Sequence, residues 1–242
     1  MNENGGVTTS GGTGATPAKL RDIAVVVALK AAALIRKERA AIGDLENVTT
    51  TKSSTVDPVT EVDKHSEQLI TSTIAALRPG DGFLGEEGTR SGSKTGVTWV
   101  IDPIDGTVNF IYGIPQYAVS IAAAVDGEIV AGAVINVVTG ELYRAARGEG
   151  AQKAYTPLDV DVEHVEFLPI SVSDVESIGQ SLLATGFAYL ASRRTKQAEI
   201  LTHLLPTVRD IRRMGSAALD LCALAEGLSL IHISEPTRLL SI

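Results

Sequence analysis

Two aspartates three residues apart, Asp102 and Asp105, follow directly on an apolar stretch of the chain, residues 99–101. That stretch favours a β-strand, so we expect Asp102 where the strand ends, at the accessible carboxyl edge of a sheet. Carboxylates at this spacing can converge on a hard cation such as Mg²⁺, which prefers oxygen ligands, and the Ile104 carbonyl could add a third oxygen. A solvated strand-to-helix turn with a capping aspartate is the alternative.

The residues after the two aspartates predict a phosphate site. Gly106 permits a tight turn, and Gly106, Thr107 and Val108 would begin a helix whose first N–H groups have no partner inside that helix. Free N–H groups at the positive end of a helix dipole bind phosphate. Residues 99–110 therefore predict a place where a metal ion and a phosphate could meet.

Two acidic patches upstream strengthen the metal interpretation. Glu86 and Glu87 stand between glycines after a short apolar step, and a metal is one reason to place two repelling carboxylates beside a strand end. An exposed acidic loop is the alternative. Asp63 falls in the first turn of a helix predicted over residues 61–77 with Thr60 as its N-cap, where a helix-capping role alone would explain it.

Four segments of the chain, taken in order, resemble the motifs of the inositol monophosphatase family of Mg²⁺-dependent phosphomonoesterases. The resemblance spans roughly residues 18–227, and its wording is most like the actinobacterial inositol-1-monophosphatases. It implies an α/β protein with the layered α/β/α/β/α sandwich of that family. The segments are KSSTVDPVTEVD (52–63), FLGEEG (83–88), WVIDPIDGTVNF (99–110) and DIRRMGSAALDLCALAEG (210–227).

The resemblance also implies a role for individual residues, with two or three Mg²⁺ ions as the cofactor. Glu86, Asp102 and the Ile104 carbonyl would hold a first ion, and Asp102 and Asp105 would share a second. The resemblance implies that Asp63 and Thr107 position the attacking water, and that Glu87 is a third catalytic residue. The implied phosphate and substrate contacts are Lys52, Gly106, Thr107, Gly215, Ser216 and Ala217.

The resemblance ends near residue 227. There the family continues with a segment carrying a Trp-Asp pair whose aspartate completes the second metal site, whereas the one tryptophan of this chain is Trp99. Residues 228–242 instead resemble a translated sequencing-adapter tail, so we expect a C-terminally truncated relative; Glu235, next to a proline, is a poor substitute ligand. The expected divisions are a disordered tail (1–16), a metal-binding α+β half (17–157), a partial α/β half (158–227) and a non-family tail (228–242).

Composition excludes several other classes of protein. The net charge of −8 and the scattered basic residues argue against binding to nucleic acid or to a membrane surface. A single cysteine, Cys222, excludes an intrachain disulfide framework and, with no export signal visible, favours the cytoplasm. The expected partner is a small phosphorylated polyol, with homodimer formation left open.

The elements that must position these residues follow from hydrophobic patterning. Helical periodicity predicts a core helix from Pro17 with Thr16 as its cap, too charged to span a membrane. Alternating apolar residues, with turns at Asp126–Gly127 and Thr139–Gly140, predict an antiparallel meander after the signature. Farther along we expect a strand over 181–187, a helix over 194–208, a strand over 210–214 and a helix over 217–226.

Three functions are compatible with these residues. The first is hydrolysis of inositol 1-phosphate to inositol and phosphate by metal-activated water. The second keeps the fold but acts on a related sugar, histidinol or nucleotide phosphate; the wording of residues 112–122 and 215–220 favours the first. The third is an inactive or regulatory relative, which the missing terminal aspartate favours.

Overall fold

Two long helices form one layer of the protein. The computed structural model describes residues 15–42, 58–156, 165–228 and 231–233. Helix α1 (Pro17–Ile42) begins at the predicted proline, and helix α2 (Pro58–Leu77) ends where the sequence predicts. Helix α2 starts three residues earlier than expected, because proline is well tolerated in a first helical turn. Thr60 therefore lies inside the helix, and its predicted role as N-cap is wrong.

An eight-stranded sheet packs against α1 and α2 in the order β2-β1-β3-β4-β5-β6-β7-β8. Its neighbouring strands are antiparallel except for the parallel pair β1 and β3. The predicted meander is confirmed as β4, β5 and β6. The strands are β1 (Gly82–Gly85), β2 (Arg90–Ser91), β3 (Val97–Asp105), β4 (Ala118–Val125), β5 (Glu128–Asn136), β6 (Glu141–Ala146), β7 (Gly150–Tyr155) and β8 (Leu168–Ile170).

The two faces of this sheet bury different partners. In β4, Val119, Ile121 and Ala123 join the main hydrophobic core with α1 and α2, whereas Ala118 packs with Leu219 on the opposite face. Successive strand residues point to opposite faces, which explains this division. The second face is therefore the one that looks toward the C-terminal elements.

A second, three-stranded parallel sheet has the order β10-β9-β11. The strands and helices predicted for this region are confirmed, with slightly different ends. A short helix, α3 (Thr107–Tyr112), follows β3 after the N-cap residue Gly106. The remaining elements are a 3₁₀ helix (Ile178–Gln180), β9 (Leu182–Thr185), α4 (Ala191–Leu204), β10 (Asp210–Arg212), α5 (Ala217–Ala225) and β11 (Ile231–Ile233).

Strand β3 does not end before Asp102, as the sequence suggests, but runs on through Asp105. Asp102 pairs with Ser120 and Asp105 with Ala118, so β3 has an extra residue relative to β4. Pro103 cannot donate to the strand ladder, and a bulge accommodates such a residue within a sheet. Both aspartates are therefore held by the sheet itself rather than by a loop beyond it.

A buried carboxylate ties the end of α2 to β3. Asp81 accepts hydrogen bonds from the Nε1 of Trp99 at 2.9 Å, from the Nε of Arg78 at 3.0 Å and from the hydroxyl of Thr95 at 2.5 Å. Trp99 is fully buried.

Among the residues that the structure describes, no helix combines the length and the apolar character needed to cross a membrane.

Candidate active site

Carboxylates from three elements gather at one end of the large sheet. Asp63 comes from the first turns of α2, Glu86 and Glu87 from the turn after β1, and Asp102 and Asp105 from β3. The structure thus brings together the acidic residues that the sequence singled out separately.

Parallel pairing of β1 with β3 explains how two of them meet. Gly85 pairs with Ile101, so Glu86, which follows the end of β1, and Asp102, the next residue along β3, lie side by side. A parallel register cannot be inferred from local pattern alone, because it depends on which distant strand lies next to β1. The tertiary fold therefore creates the proximity between the glutamate motif and the aspartate motif.

Burial and crowded negative charge raise the pKa of three of these groups, Asp63, Glu87 and Asp102. Burial, then Glu86 and Asp105, raise the pKa of Asp102 to about 9. Burial, then Glu87 and Glu86, raise the pKa of Asp63 to about 7. Desolvation and like charges both disfavour a carboxylate anion, and a nearby cation reverses both effects.

The donor set fits a divalent cation. The buried Oδ1 of Asp102 has no hydrogen-bond partner, a costly state for a polar atom inside a protein. Carboxylate and carbonyl oxygens are the ligands that Mg²⁺ prefers. Among the described residues, no three His, Cys, Asp or Glu side chains are grouped at metal-ligand distance.

The N-terminus of α5 grips Asp105. The hydroxyl of Ser216 donates to Asp105 Oδ2 at 2.5 Å, and the N–H of Ala218 donates to the same oxygen at 2.7 Å. Ser216 also caps α5, because its hydroxyl oxygen accepts from the N–H of Leu219 at 3.3 Å. The predicted substrate-side residues 215–217 are thereby placed against the predicted metal-site aspartate.

Removing the Ser216 hydroxyl should loosen this grip. We expect Ser216→Ala to lower the free energy of unfolding by about 1–2 kcal/mol, because a helix cap and a buried hydrogen bond to a charged group are both lost. Turnover should fall by about tenfold, because Asp105 keeps only its backbone donor. Urea unfolding and phosphate release measure the two effects. Ser192→Ala, an exposed change on α4, is the control; equal behaviour of the two variants would contradict the assignment.

Gly106 lies in the turn after β3, next to the segment that leads into α5. Its φ of 96° is in the left-handed region, and a Cβ there would approach the Gln116 carbonyl oxygen to 2.9 Å and the Gly215 carbonyl oxygen to 3.2 Å. Asn109 strengthens the same junction by donating to the carbonyls of Gln116 and Met214. A residue other than glycine would therefore push the two halves of the site apart.

Thr107 and Lys52 complete the set of predicted residues. The hydroxyl of Thr107 donates to the Ile104 carbonyl at 3.2 Å, which connects the predicted water-positioning residue with the predicted carbonyl ligand. Lys52 lies outside the described residues. Its predicted contact with the phosphate stays a prediction.

Sequence reasoning missed two carboxylates at this site. Glu67 is buried on α2 and accepts hydrogen bonds from the turn that carries Glu86 and Glu87. Its spacing of four residues from Asp63 places both on one helix face, and this signal could have found it. Asp220, on α5, is also buried; burial, followed by the charge of Asp105, raises its pKa to about 6.

A cavity of about 1420 Å³ leads away from the carboxylates. It lies between the second face of the large sheet and α5, with Glu86, Asp102 and Asp105 in its wall. Small apolar residues of β4 and β5 form much of the rest, together with Leu221 and Cys222 of α5. The cavity is larger than a small-molecule site normally requires, so a small ligand has ample room to reach the acidic end.

Named relatives resemble this chain in sequence and in fold. The inositol-1-monophosphatase SuhB of Mycobacterium tuberculosis is 48% identical over 222 residues, which cover 87% of this chain and 74% of that protein. The Nus factor SuhB of Pasteurella multocida is 37% identical over 208 residues, covering 85% of this chain and 72% of that protein. A solved structure of Mycobacterium tuberculosis SuhB has a TM-score of 0.73 at 46% identity, covering 88% of this chain and 76% of that one.

A family model extends the match over nearly the whole chain. The model described as the inositol monophosphatase family matches residues 16–239. The predicted family and its layered α/β fold are thus confirmed, with helices and a central sheet arranged as in the solved relative. The chain belongs to the inositol monophosphatase family, and it is an enzyme of the phosphatase class.

Proposed function

We propose that this chain hydrolyses a small phosphorylated polyol, with inositol 1-phosphate as the first candidate, and that it requires Mg²⁺. One observation carries the proposal: the buried Asp102 carboxyl, with an unpartnered oxygen, stands between Glu86 and Asp105 in the wall of an accessible cavity. The name of the mycobacterial relative, an inositol-1-monophosphatase, supports this choice of substrate.

The metal would be held by oxygens of the acidic end. We assign Glu86, Asp102, Asp105 and the Ile104 carbonyl as its ligands, with two or three ions per site as the family resemblance implies. Bound Mg²⁺ supplies Lewis-acid chemistry, because it offsets charge on phosphoryl oxygens and makes water more acidic. The hydrogen bonds from Ser216 and Ala218 both go to Oδ2 of Asp105, so they orient this carboxylate toward that task.

Asp63 and Thr107 would handle the attacking water. A carboxylate whose pKa is raised to about 7 accepts a proton readily near neutral pH, which suits Asp63 as a general base. Because the Thr107 hydroxyl donates its hydrogen bond to the Ile104 carbonyl, its lone pairs can accept a hydrogen bond from a water molecule. Glu87, close enough to raise the pKa of Asp63, would help to keep that residue basic.

Backbone groups and small residues would bind the substrate itself. The first intrahelical hydrogen bond of α3 runs from Phe110 to Gly106, so the N–H groups of Gly106 and Thr107 can bind phosphate oxygens. Ser216 donates to Asp105 and Ala217 lines the cavity beside it, and their small side chains leave room for a polyol ring, with Gly215 as the third implied contact.

Phosphate release from inositol 1-phosphate tests the proposal. We expect turnover that requires Mg²⁺ and is lost in Asp105→Asn, because that variant removes a ligand charge without changing side-chain size. Fructose bisphosphate, histidinol phosphate and adenosine bisphosphate, assayed in parallel, identify the preferred ester. Absence of Mg²⁺-dependent release from all four would contradict the proposal and favour an inactive, regulatory relative.

A further inference from the structure

We infer that Glu67 is a positioning residue that shapes the turn bearing Glu86 and Glu87 before any metal binds. The inference rests on the proposed function in one respect, that Glu86 is a metal ligand. Glu67 itself is not among the residues that line the cavity. Its role would be carried entirely through backbone hydrogen bonds to the turn.

One carboxylate binds the middle and the far end of that turn. Oε2 of Glu67 accepts the N–H of Glu87 at 2.8 Å, and Oε1 accepts the N–H of Thr89 at 3.1 Å. The turn is closed by the N–H of Gly85, which donates to the Thr89 carbonyl at 2.7 Å. Glu67 is only 3% exposed, so both hydrogen bonds are shielded from competing water.

Gly85 gives independent evidence of how closely the carboxylate fits. A Cβ on Gly85 would lie no farther than 2.7 Å from each of the three carboxyl atoms of Glu67, which are the nearest atoms to it. The carboxylate thus occupies the space that any other residue at position 85 would fill. The last residue of β1 and this α2 side chain are a matched pair.

The negative charge of Glu67 carries an energetic cost, which its two hydrogen bonds to the turn must outweigh. Glu67 adds negative charge beside Asp63 and Glu87, where like charges repel. A glutamine of the same size would avoid that repulsion but has one acceptor oxygen, and its NH₂ group would face one of the two backbone donors. Only a carboxylate satisfies both N–H groups at once, so its geometry outweighs its charge.

Glu67→Gln tests the inference, and Glu61→Gln is the matched control on the exposed side of the same helix. In metal-free protein, hydrogen exchange at the amides of Glu87 and Thr89 should accelerate by about tenfold or more in Glu67→Gln for at least one of them. The control should leave both rates unchanged. Unaltered exchange in Glu67→Gln would overturn the inference.

Binding of Mg²⁺ alone, measured by calorimetry, gives the second readout. We expect about 10–100-fold weaker binding in Glu67→Gln, as is typical when a group that orients a metal ligand is lost. Equal affinity in both proteins would overturn the inference. If neither the parent chain nor the variant binds Mg²⁺, the proposed function fails, while the exchange rates still decide whether Glu67 shapes the turn.

Gly85→Ala attacks the same contact from the other side and covers the case in which Glu67→Gln does not fold. It should accelerate exchange at the same two amides, because the new methyl group displaces the carboxylate. In a Glu67→Ala background the added methyl group has no carboxylate to meet, so Gly85→Ala should have little further effect. Additive effects of the two changes would contradict the pairing.

Discussion

Asp102→Asn should abolish turnover while leaving the metal-free fold at least as stable as that of the parent chain. The Asp102 carboxyl, whose pKa is raised to about 9, is held largely protonated at neutral pH without a cation, and asparagine has the same shape as a protonated aspartate. Little is therefore lost in the metal-free fold. A metal contact worth several kcal/mol in the transition state is lost, which corresponds to at least about 10³-fold in kcat/KM.

The pH dependence of this effect has a definite sign. An acid whose pKa is higher in the folded state than its ordinary value of 3.8 destabilises the folded state increasingly as the pH rises from 4 toward 9. Asparagine removes that penalty, so the stability advantage of the variant over the metal-free parent should grow with pH over this range.

Thermal unfolding with a chelator measures the stability of the metal-free proteins, and the same experiment with Mg²⁺ measures how much the metal stabilises each of them. Mg²⁺ should raise the melting temperature of the parent chain and not that of Asp102→Asn, because a ligand stabilises only a protein that binds it. Asp126→Asn, at the β4–β5 turn far from the acidic end, is the control and should keep both activity and the Mg²⁺ response. A variant at position 102 with parental turnover would refute the ligand assignment.

Lys153→Met should destabilise the fold by about 3 kcal/mol, because it leaves two largely buried carboxylates without their cation. The Nζ of Lys153 lies 2.8 Å from Oε1 of Glu141 and 2.7 Å from Oε2 of Glu226, and the Tyr143 hydroxyl donates to Glu226 at 2.6 Å. The Lys153 and Glu226 side chains are 12% and 11% exposed. Since Glu226 is the C-cap residue of α5, this cluster attaches to the large sheet the helix whose N-terminus holds Asp105.

This destabilisation should depend on pH. Burial lowers the pKa of Lys153, but hydrogen bonds to Glu141 and Glu226 outweigh it and raise that pKa. Burial raises the pKa of Glu141, but the bonds from Lys153 and Thr139 outweigh it and lower that pKa. The stability from Lys153 is thus present below its ordinary pKa of 10.5 and lost above it, and that from Glu141 is present above 4.5 and lost below.

Urea unfolding of the parent chain and of Lys153→Met at pH 7 and at about pH 3.5 checks this window. The gap between the two proteins should be widest at pH 7 and should narrow as the pH falls below 4.5 toward the lowered pKa of Glu141. Lys196→Met, an exposed change on α4, should cost little at either pH. A gap of the same size at both pH values would contradict an electrostatic origin.

Local sequence signals predicted the elements well where pattern and turn residues agree. The meander over β4, β5 and β6 follows from period-two alternation and two glycine-containing turns, both of which are local features. Strand β7 (Gly150–Tyr155) was not predicted, because its residues show no clear alternation. The path of β3 through Pro103 was also missed, since a bulge depends on the partner strand.

The site was predictable as a set of residues but not as an arrangement. Motif resemblance identified the carboxylates, while their proximity depends on the parallel register of β1 and β3. The contact between Glu67 and the turn after Gly85 joins residues about one helix and one strand apart, and no short-range signal encodes it. The individual metal and substrate roles, and the division of the chain into two halves, stay predictions.

The fluorescence of Trp99, which is hydrogen-bonded to Asp81, provides a local probe of unfolding. Trp99 is the single indole of the chain, fully enclosed and hydrogen-bonded to a carboxylate, so selectively excited emission comes from one point at the junction of α2 and β3. Its spectrum should shift to longer wavelength when that junction admits water. A fluorescence-detected transition therefore reports the opening of the junction between α2 and β3, whereas loosening confined to the three-stranded sheet would leave the emission spectrum unchanged.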